Sequence, residues 1–573
     1  MKSLTGFLKP YRTQLILGPT AKLAEAVFEL ILPLLMARLV DFGIPGGDTA
    51  YITRISLQMA AIAAAGFLCS LFCQYSASIA SQGFGTALRD ALYKHINTLS
   101  RRDIDRFGTI TLVNRQTADV TQLQVAVAML IRLVIRAPFL CIGGLVMAMV
   151  VDLRMSVVLL VFIPIFGVVL FWIVGKTVPL YKKTQQFLDK LSKILRENLL
   201  GVRVVRAFGQ TEKETARFHS ANRAQADSAL YAGKLSALLS PATLLLMNAA
   251  TLCVVWFGGS RIQVGGLTQG QLVAFISYIT QIMLALIVVS NLAVLFSRAA
   301  ASGARVAEVL NTSPSIQGGT ASTMLDDTPI VEFENVSFRF GHGAEEALSG
   351  ISFSVACGQT IGIVGGTGAG KSTLASLIPR FDDAVSGEIR VGGISVKAWD
   401  ADALRRHIGF VPQRAALFAG TIESNICHGK PPATEAELRR AADIAQASEF
   451  IDRLGGLSAP VQQGGRNLSG GQRQRVTIAR ALVRTPDILI LDDSASALDY
   501  MTDAKLRAAL KSLNTKATFI ISQRVSAVMD ADMILVLENG VLCGAGDHTT
   551  LYAGNTVYQE ICQSQGIDRE VRA

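Results

Sequence analysis

Charge is scarce in this chain of 573 residues: Lys, Arg, Asp and Glu make up 17% of it, while half of the residues are hydrophobic and the mean hydropathy is +0.40. That balance excludes a protein that is water-soluble throughout. Cysteine is present but unpatterned. The eight residues Cys69, Cys73, Cys141, Cys253, Cys357, Cys427, Cys543 and Cys562 form no C-x-x-C pair and have no histidine at metal spacing, which argues against a disulfide framework and a zinc site; reduced, mostly buried thiols are expected. The opening run Met1 to Pro10 has no small-residue cleavage site before its apolar stretch, so no removable signal peptide is expected. The net charge of +10 raises nucleic acid as a partner, but its distribution points elsewhere.

The apolar residues gather before about residue 300. Six segments there, at 14–40, 55–82, 125–151, 155–178, 237–260 and 271–297, are each long enough to cross a bilayer as a helix. The connections differ sharply in charge: 83–122 carries six Lys/Arg and 177–235 carries eleven, whereas 41–54, 152–154 and 258–270 carry one each. The positive-inside bias therefore expects both long connections and both termini to be cytoplasmic, with the basic excess at the membrane surface and no nucleic-acid partner. Both long connections are helical in pattern, which predicts helices continuing beyond the bilayer as stalks with short bends near 103–110 and 206–213. Each bend offers an aromatic amid charge, Phe107 and Phe208, which suits docking on a soluble domain and equally a solvated loop that happens to carry a Phe. Inside the apolar segments, Lys22, Glu25 and Glu29 share one face of the first helix, and Arg132 and Arg136 one face of the third. Such residues pair with one another across helices or line a substrate path.

The second half begins after a polar linker at 311–329. Ile330 to Phe338 alternates as an edge strand would. The decisive stretch is Gly365-Gly366-Thr367-Gly368-Ala369-Gly370-Lys371-Ser372, followed by Thr373, which fits G-x-x-x-x-G-K-[ST] between a buried strand (Thr360 to Val364) and a helix (Ser372 to Arg380). Backbone N–H groups there would point at the phosphates of ATP, Lys371 would reach the β/γ oxygens and Ser372 would hold Mg²⁺. Asp487 to Asp492 is an apolar strand ending in a carboxylate that can order the same ion. Leu468-Ser469-Gly470-Gly471-Gln472, ahead of a helical run from Arg473 to Arg484, makes a second anion-binding turn. It is free to serve the nucleotide of another subunit.

With those motifs on the page, residues 330–573 resemble the nucleotide-binding domain of an ATP-binding cassette (ABC) transporter, and Leu468 to Gln472 matches that family's signature letter for letter. By resemblance, Phe340 stands where an aromatic stacks on adenine, Gln413 is the glutamine that senses Mg²⁺ and the membrane domain, and Asp499 belongs to the loop that communicates across the dimer. Glu197 to Phe218, Gly265 to Phe275 and Ala299 to Leu310 are similar to the exporter branch. The resemblance thus implies an all-α six-helix transmembrane domain over 1–310, a linker over 311–329 and an α/β P-loop NTPase domain of the ABC class over 330–573. It also implies that the two bends are coupling helices, one contacting its own nucleotide domain and the other its partner's.

Two positions depart from the family pattern. Asp493 stands where a Glu normally polarises the attacking water, and Gln523 where a His contacts the γ-phosphate. Loss of one methylene retracts the carboxylate by ~1.5 Å, and glutamine carries neither charge nor titratable proton. This pattern resembles the degenerate-site subunit of heterodimeric bacterial multidrug-type ABC exporters. It implies a slow site here, a distinct partner subunit with Glu and His, and a competent site completed by this chain's Ser469 and Gly470. The expected protein is half of an ATP-driven exporter of an amphipathic drug, lipid or peptide in the bacterial cytoplasmic membrane. A regulatory or channel-like ABC protein is the alternative, disfavoured by short external loops and the lack of a regulatory insert. Six membrane segments exclude a soluble ABC ATPase acting on ribosomes or DNA.

Overall fold

The structure is a computed structural model that describes residues 2–567 apart from 317, 326–327 and 342–344. The chain forms two compact units, one holding residues up to Asn97 together with Thr109–Thr312, the other Thr98–Gly108 together with the chain from Ser313 onward.

The first unit is built of six long helical elements: α1 (Arg12–Arg38), α2 (Thr49–Thr98), α3 (Thr109–Val151), α4 (Ser156–Leu200), α5 (Thr211–Gln263) and α6 (Gln269–Leu310). At 1.5 Å per residue, the 50 residues of α2 run to about 75 Å, more than twice the hydrocarbon thickness of a bilayer, so stalks beyond the membrane follow from length alone. Among the described residues, α2 to α6 are long and apolar enough to cross a membrane. Helix α1 has 27 residues, enough to span, but carries Lys22, Glu25 and Glu29. Those charges are compensated inside the fold. Lys22 Nζ donates to both Glu25 oxygens at 2.8 and 2.6 Å and to Ser70 Oγ at 3.3 Å, and Arg136 Nη2 donates to Glu29 Oε2 at 2.6 Å.

The core of this unit centres on α6, whose Tyr278, Ile279, Ile282 and Met283 are fully buried against Leu30 of α1 and Leu140 and Ala148 of α3. Tyr278 donates to the Leu30 carbonyl at 2.9 Å. A side chain on Gly144 would meet Ile282 at 2.9 Å, which explains the glycine where α3 and α6 touch. Two prolines interrupt their helices. Helical structure lapses at Leu133–Ile135 ahead of Pro138 and at Leu238 ahead of Pro241, where the missing N–H and the ring both act on a carbonyl four residues back. Pro33 and Pro164 lie within unbroken helix. Because Glu29 and Arg136 share one part-buried ion pair, Glu29→Gln and Arg136→Gln should each lower the unfolding free energy by roughly 1–3 kcal/mol, read as a lower thermal midpoint. The double variant should lose less than the two single losses added together, which a double-mutant cycle would read.

Outside the apolar stretch, residues 115–119 form a single wider helical turn in which Arg115 and Asp119 are buried. Asp119 accepts from Arg305 Nε and Ser302 Oγ, each at 2.8 Å, and Arg115 pairs with Glu308 at 2.9 Å. These contacts bind α3 to the end of α6.

In the second unit, the short helix Arg101–Phe107 opens on a reciprocal cap by Ser100 and Asp103 and closes at Gly108, whose φ of 78° no β-carbon would favour. The Asp103 carboxylate accepts from Ser100 N (3.1 Å), Ser100 Oγ (2.9 Å), Ser315 N (3.0 Å) and Ser315 Oγ (3.0 Å). Burial pushes this carboxyl up, but the four donors outweigh it and hold it below the usual aspartate range. Nearby, burial pushes the Asp382 carboxyl up against the pull of Arg101 and Arg102. The first bend thus belongs to the second unit. The second bend, helix Val202–Ala207 with Phe208 exposed, belongs to the membrane unit. Asp103→Ala should destabilise the second unit by about 1–3 kcal/mol, read as an earlier unfolding transition of that unit by calorimetry.

The remainder is α/β. A six-stranded sheet runs β12-β11-β3-β10-β9-β6 and a four-stranded antiparallel sheet β2-β1-β4-β5, with β7 and β8 as a separate pair. The strands are β1 (Val331–Phe338), β2 (Leu348–Val355), β3 (Gln359–Gly365), β4 (Ser386–Val391), β5 (Ile394–Ser395), β6 (Ile408–Val411), β7 (Gly420–Thr421), β8 (Pro460–Val461), β9 (Ile488–Asp492), β10 (Ala517–Ile521), β11 (Met533–Glu538) and β12 (Val541–Gly546). From β11 to β6 the pairing is parallel, and β12 closes the edge antiparallel. Buried runs such as Ile361 to Val364 and Ile488 to Leu491 suit strands covered on both faces.

Three expectations need correction. Strand β1 is internal, paired with β2 on one side and β4 on the other. Its alternation reflects one face on the core, with register shifts near Val336 and Ser337, and not an open edge. The helix after the phosphate loop, α7, is Lys371–Leu377; it stops before Pro379 and Arg380, whose φ is +52°. The cysteines are all free, but only Cys73 and Cys562 are buried, and Cys357 and Cys543 are exposed.

Candidate nucleotide site

The phosphate loop lies at the carboxyl end of β3, and the carboxyl ends of β9 and β10 flank it through Asp492 and Ile521. Ligands of open parallel sheets collect at this edge. The loop's glycines are set by close packing. A β-carbon on Gly365 would fall 2.1 Å from the Leu537 carbonyl oxygen, and one on Gly370, at φ 93°, 2.7 Å from that of Ala347.

A cleft of about 310 Å³ sits on this edge, lined by Phe340, Ala347, Thr367 to Thr373, Gln413, Asp492, Asp493, Ile521, Ser522 and Gln523. It gathers most of the residues singled out from sequence. Lys371 is buried and donates Nζ to the Gly365 and Gly366 carbonyls at 2.9 and 2.7 Å. Burial draws its ammonium below the usual lysine range, against the pull of Asp493 and Asp492. Ser372 Oγ donates to Asp492 Oδ1 at 2.8 Å, and burial pushes the Asp492 carboxyl up, with Asp493 adding to the shift and Ser372 and Lys371 opposing it. A desolvated cation and carboxylate side by side are what a polyphosphate with a divalent ion would relieve.

Asp493 follows β9 with φ +46°, a left-handed backbone that aspartate adopts more readily than most residues. Its N–H donates to the Ile521 carbonyl at 2.9 Å, and its carboxylate accepts from Gln413 Nε2 at 3.4 Å. Gln523 reaches the cleft from the loop after β10, where Gln565 holds the backbone by donating to the Gln523 carbonyl and accepting from the Val525 N–H, both at 2.8 Å. Phe340 is 59% exposed at the cleft mouth and edge-on to Phe338, ring centres 5.0 Å apart. An exposed flat ring on that rim can stack on a base.

Gly365 and Gly366 begin the loop outside the cleft lining, and Ser469, Gly470, Gly471, Gln472 and Asp499 do not line it either. Ser469 caps helix α8 (Gly470–Leu482): its Oγ accepts from Gln472 N at 3.2 Å while Gln472 Oε1 accepts from Ser469 N at 2.9 Å. A β-carbon on Gly471 would meet the Ala497 carbonyl oxygen at 2.9 Å, whereas one on Gly470 would find only Ala497 Cβ at 3.8 Å. Asp499 caps α9 (Tyr500–Lys511) by accepting from Thr502 N at 3.0 Å. Bonds from Thr502 and the charge of Arg475 hold it below the usual aspartate range. Sequence reasoning missed Ala347 and Gln565. Neither carries a motif; both act through backbone contacts that form only when distant segments pack.

The profile of the ABC transporter transmembrane region matches residues 15–286, and that of the ABC transporter matches residues 348–496. An uncharacterized ABC transporter ATP-binding protein of Mycobacterium tuberculosis is 38% identical over 570 residues, 98% of each chain. A putative multidrug export ATP-binding/permease protein of Bacillus subtilis is 31% identical over 577 residues, 99% of this chain and all of that protein. Among solved structures, a bacterial Atm1-family ABC exporter with ATP bound superimposes with a TM-score of 0.80 at 27% identity, covering 99% of both chains.

Proposed function

The chain belongs to the ABC transporters, carrying their membrane-spanning region and their ATPase on one polypeptide, and from that premise we propose that it is one half of an exporter of amphipathic molecules whose second half is a different subunit. ATP hydrolysis drives the transport. The observation that carries the heterodimer is the pair Asp493 and Gln523 on one cleft, where a general base and a γ-phosphate contact are needed and neither residue supplies it well.

The residues of the cleft fit ATP with Mg²⁺: the Ser372 hydroxyl and Asp492 carboxylate are adjacent hard oxygen donors, with Gln413 beside them. In this reading Gly365 to Thr373 cradle the phosphates, Lys371 trades its loop carbonyls for phosphate oxygens, and Phe340 stacks on adenine. The ion, when bound, neutralises charge developing on the phosphates. Asp493 is left to orient water from a carboxylate one methylene too short, and Gln523 donates a hydrogen bond without a charge. Nucleotide held here props two nucleotide domains together, while hydrolysis at the partner's phosphate loop, completed by Ser469, Gly470, Gly471 and Gln472 with Asp499 beside it, reopens them. The bend at Arg101–Phe107 reads motion of this chain's own ATPase domain, and the exposed Phe208 bend reads the partner's. The setting is the bacterial cytoplasmic membrane, with both termini and the ATPase domain in the cytoplasm, and the likeness to a putative multidrug export protein of Bacillus subtilis makes drugs the first substrates to try. Inverted vesicles containing this chain and the product of its neighbouring gene should accumulate an amphipathic dye against its gradient with ATP. Vesicles with this chain alone pumping equally well would refute the two-subunit reading.

A further inference from the structure

Within the apolar segments 14–40 and 125–151 stand four cations, Lys22, Arg38, Arg132 and Arg136, against two carboxylates, Glu25 and Glu29, and of the four Arg38 is exposed near the end of its segment. Glu25 is taken by Lys22 and Glu29 by Arg136. Arg132 is left over. Six arginines among the described residues have a buried Nε without a partner: Arg115, Arg132, Arg136, Arg261, Arg475 and Arg507. Five of them anchor a terminal nitrogen on Glu308, Glu29, Asp152, the Gln446 carbonyl or Asp503. Arg132 alone anchors none among the described residues.

The backbone at this point is also unusual. Arg132 is the last residue before the lapse at Leu133–Ile135, and non-helical backbone at membrane depth is tolerated where it is buried in protein or lines a cavity. A guanidinium cannot shed its proton to escape hydrocarbon, so Arg132 keeps its charge beside the Pro138 kink without a carboxylate of this chain to meet it. We propose that Arg132 is the recognition residue for the anionic group, a carboxylate, sulfate or phosphate, of an amphipathic substrate, with Lys22 and Arg136 neutralised by their own carboxylates so that one net positive charge faces the path. The inference rests on the exporter reading above.

The test uses the two-subunit transporter in phosphatidylcholine liposomes, with dansyl-dodecanoate and its uncharged methyl ester as probes. ATP-dependent uptake of the anion should half-saturate at about tenfold lower concentration than that of the ester, the ratio expected for one charge-assisted contact. Arg132→Gln should abolish the difference by weakening the anion alone, and Arg132→Lys should restore most of it; an unchanged thermal midpoint shows that the variants fold. Equal uptake of both probes by the unmodified protein overturns the proposal. So does a preference that survives Arg132→Gln, or one that appears only when phosphatidylglycerol is added, since that would assign Arg132 to a lipid headgroup. Loss of thermal stability in Arg132→Gln with the anion preference intact would instead assign it to a carboxylate of the partner subunit. Failure of either probe to move uphill removes the exporter reading, and the inference with it.

Discussion

Gly470→Ala should lower ATP turnover of the assembled two-subunit transporter by about two orders of magnitude, although Gly470 lies outside this chain's own cleft. An added methyl meets nothing in its own subunit closer than 3.8 Å, so the fold should tolerate it and the thermal midpoint should not move. The loss would arise where the turn abuts the partner's nucleotide, because a side chain there holds the γ-phosphate away from the N–H groups at the start of α8. Gly471→Ala makes a useful contrast. Its β-carbon would press on the Ala497 carbonyl oxygen at 2.9 Å, so both turnover and stability should fall. Measuring steady-state ATPase and unfolding on the same preparations separates the two cases. Unchanged turnover in Gly470→Ala would mean that the partner's site is not the active one.

The second large effect concerns the departures in this chain's own site. Asp493→Glu alone should raise ATPase activity only modestly, by about threefold or less, because the lengthened carboxylate still lacks a charged contact at the γ-phosphate. Asp493→Glu with Gln523→His should do more, by about tenfold at this site, as base and γ-phosphate contact are restored together. The increments are expected to be non-additive, since both residues line one cleft. Glutamate is a poorer fit than aspartate to the left-handed φ of +46° at this position, a further reason for the single variant to gain little. Pre-steady-state turnover with the partner's catalytic Glu removed is the measurement that isolates this site.

Legibility in the sequence followed the range of the interactions. The phosphate loop, the signature turn and the strand ending in Asp492 were readable because each is a local pattern of glycines, a cap or an apolar run. The structure then joins Thr367 to Thr373, Gln413, Asp492, Asp493 and Gln523 on one cleft. The bends were readable too, since Gly108 and Gly209 mark left-handed residues between helical runs. What could not be read depends on pairing between distant segments. The internal position of β1 is decided by β4, more than 50 residues on. The Asp103 clamp needs Ser315, and the Arg115–Glu308 and Asp119–Arg305 ties need α6. Likewise the charges in α1 suit a substrate path or ion pairs on sequence alone, and it is the packing of α1 on α3 that pairs Glu29 with Arg136. That pairing is what singles out Arg132.

One comparison tests the proposed asymmetry of the two nucleotide sites most directly. ATPase activity of the two-subunit transporter is measured with Asp493→Asn in this chain and, separately, with the partner's catalytic Glu changed to Gln. Activity close to that of the unmodified transporter in the first case and its near-complete loss in the second is the predicted result. Loss of most activity in Asp493→Asn, or its survival when the partner's Glu is removed, would contradict it.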